Sequence, residues 1–147
     1  MIPFSKLYLP TEALSYCEKA IKDQCLTGNG EWTERVRNRI ANELSLDFSQ
    51  VHITNSCTMA LEVAYQILSY KTNKNIVIVP SYTFPSTVNA LILSGFRPVF
   101  CDIEEKSGNM TVESLIAAAS RLDQAEIAGV APVHYGGSLC DLSLIHI

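Results

Sequence analysis

The run IVIVP at 76–80 has no polar side chain. A stretch so short and so apolar suits a strand covered on both faces, as in a parallel sheet. Further short apolar runs follow at 98–102 and 127–133, separated by stretches whose apolar residues repeat at helical spacing. Such alternation is the pattern of strand-helix-strand units and predicts a mostly parallel sheet flanked by helices, an α/β fold. From residue 51 onward the predicted elements are a strand over 51–54, a helix buried nearly all round over 59–69, and a strand over 76–79 ended by Pro80. A helix over 86–94 closed by Gly95 follows, then a strand over 98–102, a helix to about 120 capped by Thr111, and a strand over 127–133. Ahead of these, a helix over 11–24 is expected to bury Leu14, Cys17, Ala20 and Ile21. The loop Thr27-Gly28-Asn29-Gly30 leads to a second helix over 33–44 with Val36, Ile40, Ala41 and Leu44 on one side. There is no repeat and no linker composition, so 1–147 reads as part of one domain.

Of the 147 residues 48% are hydrophobic and 18% charged, enough apolar material for one real core. Eleven Lys+Arg against fifteen Asp+Glu give a net charge of −4, which offers no footprint for a phosphate backbone. No nucleic acid partner is expected. No apolar run approaches the roughly 18 residues of a membrane span, and MIPFSKLYLPTEAL lacks the layout of a secretory leader. The expectation is a cytoplasmic protein with no membrane partner. Five cysteines without a CxxC and three histidines without ligand spacing predict no metal site, and most of the thiols read as small buried hydrophobes.

In open parallel sheets, ligands bind beyond the carboxyl ends of the strands. Residues 54–58, 80–84, Asp102 and 134–137 are all expected at that rim. The turn Asn55-Ser56-Cys57-Thr58 opens a helix, whose first N–H groups lack internal partners and lie at the positive end of its dipole. A phosphate fits there without a Lys or Arg, although Ser56 or Thr58 equally suits a plain N-cap. Tyr82 and Phe84 in PSYTF could stack on a planar ring or pack back on the core. His134 suits either a proton carrier or a merely hydrogen-bonded side chain, and Asp102 suits a turn cap. Neither GxGxxG nor GxxxxGK[ST] is present, so the remaining candidate is a phosphate-bearing ring cofactor.

Taken in order, NSCTMAL (55–61), PSYTF (80–84), RPVFCDI (97–103) and PVHYGG (132–137) resemble the DegT/DnrJ/EryC1/StrS family of sugar aminotransferases, over residues 2 to about 141. The resemblance implies a truncated large domain of the fold type I transferases that use pyridoxal 5'-phosphate. It also implies that Cys57 and Thr58 carry the cofactor phosphate with Ser56 beside them, and that Phe84 covers the pyridine ring. Gly28, Asn29 and Gly30 would border the sugar nucleotide. The implied reaction passes an amino group from glutamate to the 4-keto carbon of a nucleotide-linked 6-deoxy sugar, in a homodimer whose active sites are shared.

Narrower features, namely MIPF, Gly28-Asn29-Gly30 before Trp32-Thr33, SCT rather than the commoner SGT, and PSYTFPSTVNA, resemble family members acting on dTDP-4-dehydro-6-deoxyglucose for cell-surface polysaccharides such as enterobacterial common antigen. The family's Schiff-base lysine and its acidic partner for the pyridine nitrogen belong to segments past residue 147, and none of the six lysines here stands in a matching position. The chain therefore reads as an N-terminal portion with no catalytic residue of its own. Residues 142–147 fit the family's next helix poorly and read as a foreign tail. Two other readings are a non-catalytic relative that binds a sugar nucleotide or cofactor, and another fold type I enzyme such as a desulfurase or lyase.

Overall fold

The computed structural model describes residues 6–24 and 26–145, so the MIPF start, Cys25 and His146 lie outside the described residues. The chain separates into two compact units, Met1–Ile53 and Thr54–Ile147.

In the first unit, α1 (Ala13–Lys22) and α2 (Glu31–Leu44) are followed by a short 3-10 turn, Phe48–Gln50. Asn29 takes φ +67 and Gly30 is the extended N-cap of α2, which begins at Glu31 rather than 33. Glu31 and Glu34 in its first turn complement the helix dipole. The face of α1 expected to be buried is not: the helix has no buried residue, and Leu14 and Ile21 are 64% and 61% exposed. Two helices and a turn are too little chain to enclose an apolar stripe.

The expected strand over 51–54 is absent. Strands exist by pairing, and the Val51 carbonyl is instead taken by Arg37 Nε at 2.8 Å. The Arg37 guanidinium also lies over the Phe48 ring at 3.8 Å and donates to the Phe48 carbonyl at 3.1 Å.

The second unit is a three-stranded parallel sheet of order β2-β1-β3, with β1 at Ile76–Pro80, β2 at Arg97–Cys101 and β3 at Ile127–Val130. Its helices are α3 (Cys57–Lys71), α4 (Pro85–Leu93), α5 (Val112–Ala119) and the single turn α6 (Leu142–Ile145). Every residue of β1 is buried, and its alternation sorts the core. Val77 and Val79 meet Tyr65 of α3, Ala90 and Leu91 of α4, and Phe96, whereas Ile76 and Ile78 meet Cys101, Met110, Ala118 of α5 and Cys140. Burying these four strand side chains contributes about 6–12 kcal/mol before conformational entropy is subtracted, which makes β1 the anchor of the unit.

Helix ends follow local chemistry. Pro85 opens α4 at a position where its missing N–H costs nothing, and Gly95 at φ +85 ends the segment as expected. Thr111 caps α5 through a reciprocal pair of hydrogen bonds with Ser114. Strand β3 stops at Val130, short of 133, because Pro132 has no N–H to extend a ladder. Helix α3 is not buried nearly all round. Leu61, Tyr65 and Leu68 face the core, while Met59, Val63 and Ile67 are 42–51% exposed, and no described element of this unit covers them.

Candidate functional site

At the carboxyl ends of the strands, a cavity of about 650 Å³ opens among the start of α3, the loop after β1 and the segment after β3. Cys57, Thr58, Thr83, Phe84, Pro132 and Tyr135 line it. The volume is that of a small-molecule or cofactor site. The rim is built from three strand ends rather than four, since residues 54–58 arrive without a strand before them.

Ser56 is the N-cap of α3, in extended conformation (φ −160, ψ 158), and its Oγ accepts from Met59 N–H at 3.2 Å. The capping role weighed for this serine is therefore real. The Thr54 hydroxyl donates to the Ser56 carbonyl at 2.8 Å and fixes the entry to the helix. Cys57 and Thr58 occupy the next two positions, where an amide has no partner within the helix, and both residues line the cavity. Capping by Ser56 thus satisfies the third amide of the turn and leaves the two before it for an anion.

Phe84 is the N-cap residue of α4 and 73% exposed, so its ring lies against the cavity rather than in the core. Thr83 Oγ1 donates to Thr87 Oγ1 at 3.0 Å, and Thr87 is itself buried. Tyr65 lies at the base of the cavity; burial, with a smaller electrostatic contribution from Cys57, pushes its phenol above the ordinary tyrosine value of 10.0.

His134 is not in the cavity lining. Its Nδ1 accepts from Cys140 N–H at 3.0 Å, so it serves as a hydrogen-bonded structural group. Asp102 accepts from Ile103 N–H at 2.9 Å, a local turn contact. Of the thiols, Cys101 and Cys140 are buried and Cys17 and Cys57 exposed, so the expectation of buried cysteines holds at two of these four. Among the described residues no three His, Cys, Asp or Glu side chains gather as a metal site, and no helix is long and apolar enough to cross a membrane.

Gly28, Asn29 and Gly30 lie in the first unit, as the loop that leads into α2. Missing from the expectations is the Tyr82–Tyr135 pair, with hydroxyls 2.7 Å apart and ring centroids 4.5 Å apart. The Tyr82 hydrogen bond raises the Tyr135 phenol above its ordinary value. Also missed is the buried Asn109 behind it; only the turn-forming Ser107-Gly108-Asn109 run hinted at either.

The residues fit a phosphate-bearing ring: two unpartnered amides at one end of the cavity, an exposed aromatic face along it, and no acidic side chain in its lining to oppose an anion. No lysine lines the cavity either.

The model of the DegT/DnrJ/EryC1/StrS aminotransferase family matches residues 8–146. Among curated proteins the chain is similar to dTDP-4-dehydro-2,3,6-trideoxy-D-glucose 4-aminotransferase of Saccharopolyspora spinosa, 32% identical over 99% of this chain and 36% of that protein. It is 28% identical to dTDP-4-amino-4,6-dideoxy-D-glucose transaminase of Escherichia coli, over 98% of this chain and 37% of the relative. The chain spans little more than a third of the length of these two relatives. Among solved structures, the sugar aminotransferase CalS13 from Micromonospora echinospora superposes with a TM-score of 0.83 at 20% identity, over 99% of this chain and 38% of that one. The aminotransferase TlmJ from Streptoalloteichus hindustanus gives a TM-score of 0.75 at 27% identity, over 88% and 34%.

Proposed function

Because the chain belongs to the DegT/DnrJ/EryC1/StrS aminotransferase family, whose members depend on pyridoxal phosphate, we propose that the cavity of the second unit is this chain's share of a cofactor site. The enzyme it serves transfers an amino group from glutamate to a nucleotide-linked ketosugar. The observation that supports this most is the convergence of the α3 N-terminus and the exposed Phe84 ring on one cavity.

In this reading the amides of Cys57 and Thr58 bind the cofactor phosphate, and Ser56 holds the turn that presents them. Phe84 covers one face of the pyridine ring and keeps water from it. Gly28, Asn29 and Gly30 border the sugar nucleotide. When bound, the cofactor supplies the electron sink and carries the amino group between donor and acceptor, chemistry that no side chain provides. The lysine that holds the cofactor covalently and the acid that pairs with its ring nitrogen come from outside these 147 residues. The absence of lysine from the cavity lining is consistent with that. The working enzyme is a cytoplasmic homodimer.

For the substrate, the reading is amination at carbon 4 of dTDP-4-dehydro-6-deoxyglucose to give dTDP-4-amino-4,6-dideoxygalactose, for cell-surface polysaccharide. The likeness carried by SCT at 56–58 and PSYTFPSTVNA at 80–90 supports it, as do relatives whose names specify dTDP-linked 4-amino or 4-dehydro sugars.

The test uses the uninterrupted genomic reading frame that contains these residues. Its product should show pyridoxal phosphate absorbance that shifts on adding glutamate and returns on adding the dTDP-ketosugar, with the galacto amino sugar as product. A protein that binds the sugar nucleotide but gives no shift with any amino donor would instead be a non-catalytic binding relative.

A further inference from the structure

Asn109 is 4% exposed, and a buried carboxamide is costly unless both of its ends are bonded. Both are. Its Oδ1 accepts from Tyr135 N–H at 2.7 Å and its Nδ2 donates to the Ser138 carbonyl at 2.9 Å. One side chain thus ties both ends of a turn whose middle residues, Gly136 and Gly137, have φ +59 and +84. From the neighbouring position, Gly108 at φ +72 passes so close to the Tyr135 ring that a Cβ there would lie 3.0 Å from Cδ1. The loop before α5 therefore holds Tyr135 by its backbone and supports its ring from behind.

Tyr135 lines the cavity and shares a 2.7 Å hydrogen bond with the Tyr82 hydroxyl. We propose that Asn109 is a positioning residue of the cavity, fixing Tyr135 as part of its wall and, through it, the hydrogen bond that Tyr135 shares with Tyr82. In a pair of phenols one O–H is donated within the pair, and the other remains available to a carbonyl or hydroxyl of a ligand. The wall is otherwise apolar around Val130, Ala131 and Pro132, so this is where it can orient a polar substrate. The identity of that ligand rests on the function proposed above; the positioning by Asn109 does not.

The test is a 13C NMR titration of ring-labelled tyrosine in the cofactor-free product of the uninterrupted reading frame, with Tyr135 assigned through Tyr135→Phe. Tyr135 should ionise above the ordinary tyrosine range, because its hydrogen bond to Tyr82 holds the phenol protonated. That elevation should vanish in Tyr82→Phe and in Asn109→Ala. An ordinary titration in the parent chain would overturn the pair, and an unchanged elevation in Asn109→Ala would overturn the role of Asn109. If Asn109→Ala fails to fold by far-UV circular dichroism, Asn109→Ser takes its place, since its shorter side chain cannot bond both Tyr135 N–H and the Ser138 carbonyl. An unchanged titration there would equally overturn the proposal. Added pyridoxal phosphate should shift the Tyr135 resonance. Binding without that shift would overturn the wall, whereas no binding would count against the proposed function and leave the cofactor-free titration standing.

Discussion

The substitution Cys57→Pro isolates one backbone amide. Cys57 is the first residue of α3, the position at which proline is best tolerated, and Ser56 before it is extended at φ −160 and ψ 158, the conformation that a following proline demands. Ser56 keeps its cap on Met59 N–H, and Ala60 N–H keeps the Ser56 carbonyl at 3.2 Å. Helix and cap should therefore survive, with stability changed by no more than about 0.5 kcal/mol. Only the Cys57 N–H is lost as a donor. A hydrogen bond from such an amide to a charged phosphate is worth about 1.5–3 kcal/mol, which predicts pyridoxal phosphate affinity lower by about 10- to 140-fold. Cys57→Ala, which removes the thiol and retains the amide, should bind like the parent chain. The assay is calorimetric titration with pyridoxal phosphate and, as the phosphate-free control, pyridoxal. The parent should prefer pyridoxal phosphate, and Cys57→Pro should lose most of that preference. Equal affinity of parent and Cys57→Pro for pyridoxal phosphate, at matched melting temperatures, would refute the phosphate cradle.

Phe84→Ala removes a ring that is 73% exposed, so stability should change by less than about 1 kcal/mol while pyridoxal phosphate binding weakens about 2- to 12-fold through lost stacking; a large drop in melting temperature would instead place Phe84 in the core. Leu91→Ala, at a fully buried position in the cluster with Val77, Val79 and Phe96, should cost about 2–5 kcal/mol, read as a lower urea midpoint or outright unfolding. Burial raises the Cys101 thiol above its ordinary 9.0, so the stability it contributes is complete below pH 9 and declines as pH climbs through the raised value; urea melts of the parent at rising pH should record that decline, and Cys101→Ala should flatten it. Both outer strands, β2 and β3, carry unpaired edges in the described sheet, and Phe100 on β2 is 55% exposed, so the isolated 147-residue chain should self-associate; sedimentation showing a monomer at all concentrations would contradict this.

Much of the second unit was legible because its signals are local. The apolar run at 76–80, the Thr111 cap and Gly95 each act within a few residues, and each falls where periodicity and capping chemistry put it. The expectations that failed depended on what lies opposite. The strand over 51–54 has suitable residues but no partner, and the apolar outer face of α3 has no cover within its unit. Polarity pattern cannot tell an apolar face that is covered from one that is not.

The same division runs through the site. Sequence alone determined the family, the parallel strand-helix order and the small polar turn ahead of α3, because motif spacing and helix-start chemistry are written in consecutive residues. Only the tertiary structure decided that Cys57, Phe84 and Tyr135, far apart along the chain, line one cavity, and that Asn109 stands behind Tyr135. It also placed His134 outside the cavity lining, with its Nδ1 accepting from Cys140 N–H. These are juxtapositions of residues 26 to 78 positions apart or within a tight turn, and parallel pairing of β1 with both neighbours creates them by bringing three strand ends to one rim.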